Sequence, residues 1–147
     1  MDGVADYIGV ALPMGHAVGR WGCLAAGCCY GKPTSLPWGV RFSNPESLVD
    51  PALYGVALHP TQVYESAADV LVAALAYQVL LRVEAKRLWT GAAFAFYFAS
   101  YSCARFFLEG FRGDDRGAGL LGLSPSRALA LAVVACVGCV WARRRTA

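Results

Sequence analysis

Charge is scarce in this chain. Only 16% of its 147 residues are Asp, Glu, Lys or Arg, against roughly 25% in an ordinary soluble domain. The formal net charge is +3, too small to suggest nucleic acid as a partner. The N-terminus lacks the basic region of a secretory signal, since Asp2 and Asp6 stand where it would be, and no small-residue cleavage site follows. The six cysteines form no convincing disulfide framework, and no CxxC…CxxC pattern points to a metal. Repeats and low-complexity tracts are absent.

What is present is apolar. Hydrophobic residues make up 57% of the chain, above the roughly 45–50% of soluble domains, and the mean hydropathy is +0.45. This is the composition of a membrane protein. Three segments are long enough to span, a spanning helix needing roughly 20 residues: His59 to Leu81, Leu88 to Leu108, and Ser124 to Ala142. The last opens with a serine cap and Pro125 at the first helical position. A fourth, Val4 to Val18, is short, carries Asp6 and is interrupted by Pro13. The expected fold is all-α: a single membrane domain over residues 1–147, a multi-pass bundle of three to four helices. The Gly31–Pro60 connection, rich in Pro, Gly and Ser, reads as an irregular interfacial loop with a short strand around Trp38–Phe42. Basic residues cluster at Arg82, Lys86 and Arg87 and at Arg143–Arg145. The positive-inside rule places both groups, and the C-terminus, in the cytoplasm. The loop, the start of the His59 helix and the Arg105–Asp115 segment then share the outer face.

The densest chemistry lies in Gly19–Thr34, GRWGCLAAGCCYGKPT. Arg20 stays charged in any environment, its planar fork grips oxyanions in pairs of bonds, and the glycines around it permit close backbone approach. A charge at the edge of an apolar segment is a functional-site candidate. On the third segment Tyr97, Tyr101, Arg105 and Glu109 recur every fourth position, which keeps them on one helix face. They read either as a headgroup site or as an interfacial Arg105–Glu109 pair with belt tyrosines. Arg112, Asp114, Asp115 and Arg116 extend the charge. His59, Pro60, Gln62, Tyr64 and Glu65 form a polar helix start, with His59 a headgroup donor or a structural group. Glu65 and Asp69, four apart at membrane depth, call for partners, and the arginines are the candidates. His16 reads as a packing residue. Cys103, Cys136 and Cys139 lie in apolar runs and read as buried; the CxxC spacing of the last two reads as coincidence. The adjacent Cys28 and Cys29 are awkward for a disulfide and wrong for a zinc knuckle.

The ordered set of these motifs resembles the C-terminal half of bacterial prolipoprotein diacylglyceryl transferases. The matching elements are Gly19-Arg20-Trp21-Gly22 with Gly27 and Gly31, Trp38-Gly39-Val40 with Phe42, His59-Pro60-Thr61-Gln62 with Tyr64-Glu65, and Tyr101, Arg105 and Glu109 with Phe111-Arg112. The resemblance implies a multi-pass inner-membrane enzyme that moves diacylglyceryl from phosphatidylglycerol to the lipobox cysteine of a prolipoprotein signal peptide, with no metal or cofactor. It implies Arg20 and Arg105 as essential arginines, with Tyr101 and Glu109 beside the second. Gly19, Gly22, Gly31, His59, Gln62 and Glu65 are the substrate-binding candidates. The family signature often has asparagine at Cys23 and glutamate at Cys28, so AGCCYG looks like a variant branch. The family's first helices and His-Gly-Gly motif have no counterpart here, which is expected of a truncated or partner-dependent relative. Two other readings stand beside the transferase: a non-catalytic lipid-binding membrane remnant, and a thiol oxidoreductase using Cys28, Cys29 and the Cys136/Cys139 pair.

Overall fold

The computed structural model describes residues 3–113 and 125–146. Four helices run in alternating directions: α1 (Val4–Ala26), α2 (Thr61–Glu84), α3 (Ala92–Leu108) and α4 (Pro125–Thr146), with 3-10 turns at Pro51–Leu53 and Glu109–Phe111. The expected all-helical class is what forms. The boundaries differ in instructive ways. α1 does not stop at Val18 and is not broken at Pro13; it runs on through the glycine-arginine block, so Gly19, Arg20 and Gly22 are helical residues. An interior proline removes one ladder bond and costs about 3 kcal/mol on an exposed helix. Here Pro13 is fully buried, and the carbonyl it leaves without a donor belongs to Gly9, where α1 meets α3. A Cβ on Gly9 would stand 2.8 Å from the Phe94 Cα, so the two backbones touch at that point.

α1 ends in a Schellman turn. Gly27, at φ +71°, sits just past the last helical residue. Its N–H bonds the Leu24 carbonyl at 3.2 Å, and the Cys28 N–H bonds the Cys23 carbonyl at 3.1 Å, the paired pattern that satisfies the last carbonyls of a helix. α3 begins at Ala92 rather than Leu88, after Gly91 at φ +100°. Its orphan N–H groups are met by another helix: Asp6 of α1 accepts from Gly91 N (2.7 Å), Ala93 N (2.8 Å) and Phe94 N (3.4 Å). A carboxylate at a helix N-terminus is favoured by the helix dipole as well as by these bonds.

Small residues make much of the helix–helix core, beside Val72, Val79, Leu80 and Tyr97. Ala17, Ala73, Ala76, Ala92 and Ala93 are buried, whereas Val18, Trp21, Leu71, Phe107 and Leu129 are exposed. Small residues let helices approach closely, and large apolar ones then point outward. α1, α2 and α3 pack on one another, and α4 lies against α3, with Trp89 edge-on to Trp141 at 5.8 Å. Among the described residues, α2 is the one helix long and apolar enough to cross a membrane by length and hydropathy, where the sequence suggests three. α3 falls short because its first turn gives way to the Gly91 corner, leaving 17 helical residues; α1 carries Asp6 and Arg20 within its length.

The connection 27–60 folds over one end of the bundle. No strand forms around Trp38–Phe42; Gly31 bridges Arg112, and Pro33 and Val40 each bridge Leu58. Proline and the chain reversals prevent any longer ladder, and Leu58 is fully buried beneath the crossing. The loop, the start of α2 and the end of α3 therefore share one end. Glu84 (which accepts a 2.7 Å bond from Tyr7), Lys86 and Arg144 mark the other. Asp114, Asp115, Arg116 and Ser124 lie outside the described residues.

Candidate active site

Glu65 lies on the first turns of α2 and is 2% exposed. A lone buried carboxylate is costly unless paired and hydrogen-bonded, and this one draws in three guanidiniums. Arg20 Nε of α1 lies 2.7 Å from Glu65 Oε2. Arg105 Nη1 of α3 lies 2.5 Å from Glu65 Oε1, and Arg112 Nη1, beyond the 3-10 turn, lies 2.7 Å from the same oxygen. Arg105 Nη2 reaches back to Glu109 Oε2 at 3.5 Å, its own i,i+4 neighbour. The interhelical pair is thus the closer one, and Arg105–Glu109 is not simply an interfacial cap. Three cations thus gather on one buried carboxylate. Asp69, one turn deeper, lines the same gap between Arg20, Tyr101 and Arg105 without joining those pairs.

The three arginines are not equally accessible. Their side chains are 18% (Arg20), 14% (Arg105) and 2% (Arg112) exposed. Arg112 is locked in place; Arg20 and Arg105 keep an open edge. Tyr101 and Arg105 also line a cavity of about 290 Å³ between α3 and α4, with Phe98, Leu129, Ala130 and Val133 as its apolar walls. A guanidinium at the mouth of an apolar groove suits a ligand with an anionic head and a hydrocarbon body.

The other candidates divide into positioning groups and open ones. Gly31 is a packing glycine: a Cβ there would meet His59 Cβ at 2.5 Å and the Phe111 carbonyl at 2.8 Å. That absence of a side chain lets the Arg112 segment pass close enough to sink its guanidinium onto Glu65. Gln62 is buried and donates to the Cys28 carbonyl at 2.7 Å, while Thr61 Oγ1 donates to the Cys29 carbonyl at 2.7 Å. Both clamp the loop after α1. His59 stacks edge-on to Phe111 at 5.5 Å, with Nδ1 3.4 Å from the Tyr64 hydroxyl; Trp38 Nε1 donates to that hydroxyl at 2.8 Å. Gly19 and Gly22, by contrast, have open space where a Cβ would stand. His16 packs beside Tyr101, ring centroids 5.3 Å apart, as a packing role requires.

Sequence reasoning placed Arg112 as an extension of charge beyond the helix and in the Phe111-Arg112 motif, but not among the site residues, yet it is the most deeply buried of the three. Its signal was faint: a cation two residues after a glycine, just past a helix end. The cysteines reverse expectation altogether. Cys103, Cys136 and Cys139 are exposed, while Cys23, Cys28 and Cys29 are half-buried, with their three sulfurs within 4.8 Å of one another. Burial, reinforced by the bonds and charge of Cys23 and Cys29, pushes the Cys28 thiol up to about 12. Burial acts the same way on Cys29, but the Arg112 hydrogen bond and charge outweigh it and lower that thiol below its ordinary value.

Residues 2–143 match the family model described as prolipoprotein diacylglyceryl transferase. The chain is 41% identical over 112 residues to the phosphatidylglycerol–prolipoprotein diacylglyceryl transferase of Clostridium tetani, covering 76% of this chain and 42% of that protein. It is 37% identical over 143 residues to the protein of the same name from Gloeobacter violaceus, covering 97% of this chain and 52% of that one, and 35% identical over 113 residues to that of Cereibacter sphaeroides, covering 76% and 39%. The chain therefore spans about half the length, or less, of these curated relatives. With its match extending over nearly all of its residues, the chain belongs to the prolipoprotein diacylglyceryl transferase family.

Proposed function

We propose that this chain carries the phosphatidylglycerol headgroup site of a diacylglyceryl transferase acting on the lipobox cysteine of prolipoproteins. The observation that carries it is the convergence of Arg20, Arg105 and Arg112 on one buried carboxylate, beside an apolar groove. Transfer of diacylglyceryl to a thiol releases glycerol phosphate, so negative charge stays on the phosphate as the carbon–oxygen bond breaks. Preorganised guanidiniums aimed at that charge are the kind of group that contributes most to such a step. The phosphate meets the open edges of Arg20 and Arg105, the buried Arg112 joins them on Glu65 and fixes that carboxylate, and the acyl chains follow the α3–α4 groove. Tyr101 lines groove and gap together. Glu109 orients Arg105.

The setting we propose is the bacterial inner membrane, spanned several times, with the arginine end outside and the C-terminus cytoplasmic. The outward-facing large apolar residues support it, as does the basic cluster Arg82, Lys86 and Arg87 at the opposite end. A thiol probe at Ser43 should label from outside intact cells, and one at Ala85 should not. The headgroup site is tested by native mass spectrometry of the purified chain with phosphatidylglycerol. Arg20→Ala and Arg105→Ala should each lose the retained lipid, and unchanged retention in both would reject the site. Labelled lipid transfer to a lipobox peptide, abolished by Arg105→Ala, would extend the result from binding to chemistry.

A further inference from the structure

The half-buried thiols have no part in the mechanism above, and their arrangement is not accidental. In a Schellman turn the residue two past the helix end packs against the fourth residue from the end. Here those positions are Cys28 and Cys23, so the turn at Gly27 that ends α1 also brings the two side chains together. Cys29 then takes a left-handed conformation, φ 60°, which few residues other than glycine adopt without strain. In extended chain, neighbouring side chains point to opposite sides; the left-handed residue cancels that divergence and folds Cys29 back beside Cys28. The result is three sulfurs mutually within 4.8 Å. The loop is fixed from α2 as well, because Thr61 and Gln62 hold the Cys29 and Cys28 carbonyls at 2.7 Å each.

From this geometry we propose that Cys23, Cys28 and Cys29 form a three-thiolate site for a thiophilic divalent metal ion, Zn²⁺ being the ion whose chemistry fits. Zn–S bonds of about 2.3 Å put sulfurs roughly 3.8 Å apart around a tetrahedral ion, so sulfurs already within 4.8 Å of one another need close by at most about an ångström. Binding exchanges three thiol protons for one ion and leaves the complex with a single negative charge. Arg112, which touches Cys29, and Arg20 beside Cys23 and Cys29 stand ready to offset it. Three protein ligands leave the fourth position of the ion open, as in zinc sites that take up a water or a substrate atom. The adjacency of Cys28 and Cys29, awkward on paper for a metal, is what the left-handed turn resolves. The ion's ligands are not the groups that pair with Glu65, although Arg20 and Arg112 border both.

The test uses the purified, reduced full chain in detergent with Co²⁺ as the optical probe. One equivalent should bind per chain with a thiolate-to-metal absorption band, and added Zn²⁺ should displace it. Cys23→Ser and Cys28→Ser should each weaken binding at least tenfold, while the triple variant Cys103→Ser, Cys136→Ser, Cys139→Ser should keep it. Because a serine variant can also disturb the turn, metal protection of the unaltered chain provides a second reading: Zn²⁺ should shield Cys23, Cys28 and Cys29 from alkylation, read by peptide mass spectrometry, and leave the other three reactive. A reduced chain that binds no Co²⁺, a band that persists without Cys23 and Cys28, or alkylation that Zn²⁺ does not change would each overturn the proposal. Phosphatidylglycerol retention measured on the same samples keeps failure of the metal site distinct from failure of the headgroup site.

Discussion

Asp6 and Glu65 are carboxylates buried at opposite ends of one bundle, at 0% and 2% exposure, and they are neutralised by opposite means. Asp6 is held by three backbone N–H groups at the start of α3. Its counter-charge is a set of fixed partial charges, and nothing is left over for a ligand. Glu65 is held by three full cations, and Arg105 among them also reaches Glu109. This cluster of guanidiniums lies next to a groove. The same burial therefore gives a structural clasp at one end and an anion site at the other, and the kind of partner decides which.

The comparison breaks most sharply at Glu65. Glu65→Ala leaves three guanidiniums facing one another away from water, and removing one member of a buried pair costs about 3–5 kcal/mol. Thermal unfolding in detergent should show the largest fall of any variant named here. Asp6→Ala removes acceptors from backbone donors but exposes no uncompensated charge, so about 2–3 kcal/mol is expected. The folded fraction should retain phosphatidylglycerol as before. If Asp6→Ala lost the lipid while staying folded, the division into clasp and site would be wrong.

The next effect separates charge from shape. Arg105 uses two nitrogens, Nη1 toward Glu65 and Nη2 toward Glu109, and a lysine offers one ammonium in place of that fork. Arg105→Lys should lower phosphatidylglycerol affinity about tenfold, or about 1.4 kcal/mol, with an unfolding midpoint near that of the unaltered chain. Equal affinity for the two side chains would mean that bulk charge suffices and the bidentate geometry is idle.

These distinctions were only partly legible in the sequence. Helix periodicity and hydropathy gave the helical class and approximate spans, because apolar runs and the Ser124–Pro125 start signal are local. The four-residue spacing of Tyr101, Arg105 and Glu109 is local too. What α1 does at its end was hidden: Pro13 and four glycines in Gly15–Gly27 argue for an early stop, yet tertiary packing at Gly9 and the Gly27 turn carry the helix to Ala26. Asp6 could be seen as an odd charge in an apolar run, but its partner lies 85 residues away. Gly31 looked like a ligand glycine and proved to be a packing one, since only the fold brings His59 and Phe111 against it. Long-range contacts of this kind leave no periodic trace.

The smallest effect concerns the thiols at the edge of the Glu65 site, where the field of the arginines should be readable as reactivity. Only the thiolate is a nucleophile, so alkylation rate follows the fraction deprotonated. Burial raises both neighbours, but Arg112 bonds Cys29 and draws it below the ordinary thiol value, whereas Cys28 is pushed up to about 12. The Cys29 rate should rise at a lower pH than that of an ordinary thiol while Cys28 stays silent, so two adjacent residues should give alkylation–pH curves that are clearly displaced. Iodoacetamide labelling of chelator-treated protein, resolved residue by residue in a mass spectrometer, reads both. Arg112→Gln keeps a hydrogen-bond donor and removes the charge, so it should shift the Cys29 curve to higher pH and slow its labelling severalfold at pH 8. Arg41→Gln, a change of equal charge at an exposed residue whose guanidinium bonds the Gly55 carbonyl, should leave that curve in place. Coincident curves for Cys28 and Cys29 would show that the field of the guanidiniums at the Glu65 end does not reach beyond its carboxylates, and the contrast with Asp6 would shrink to a difference in hydrogen bonding.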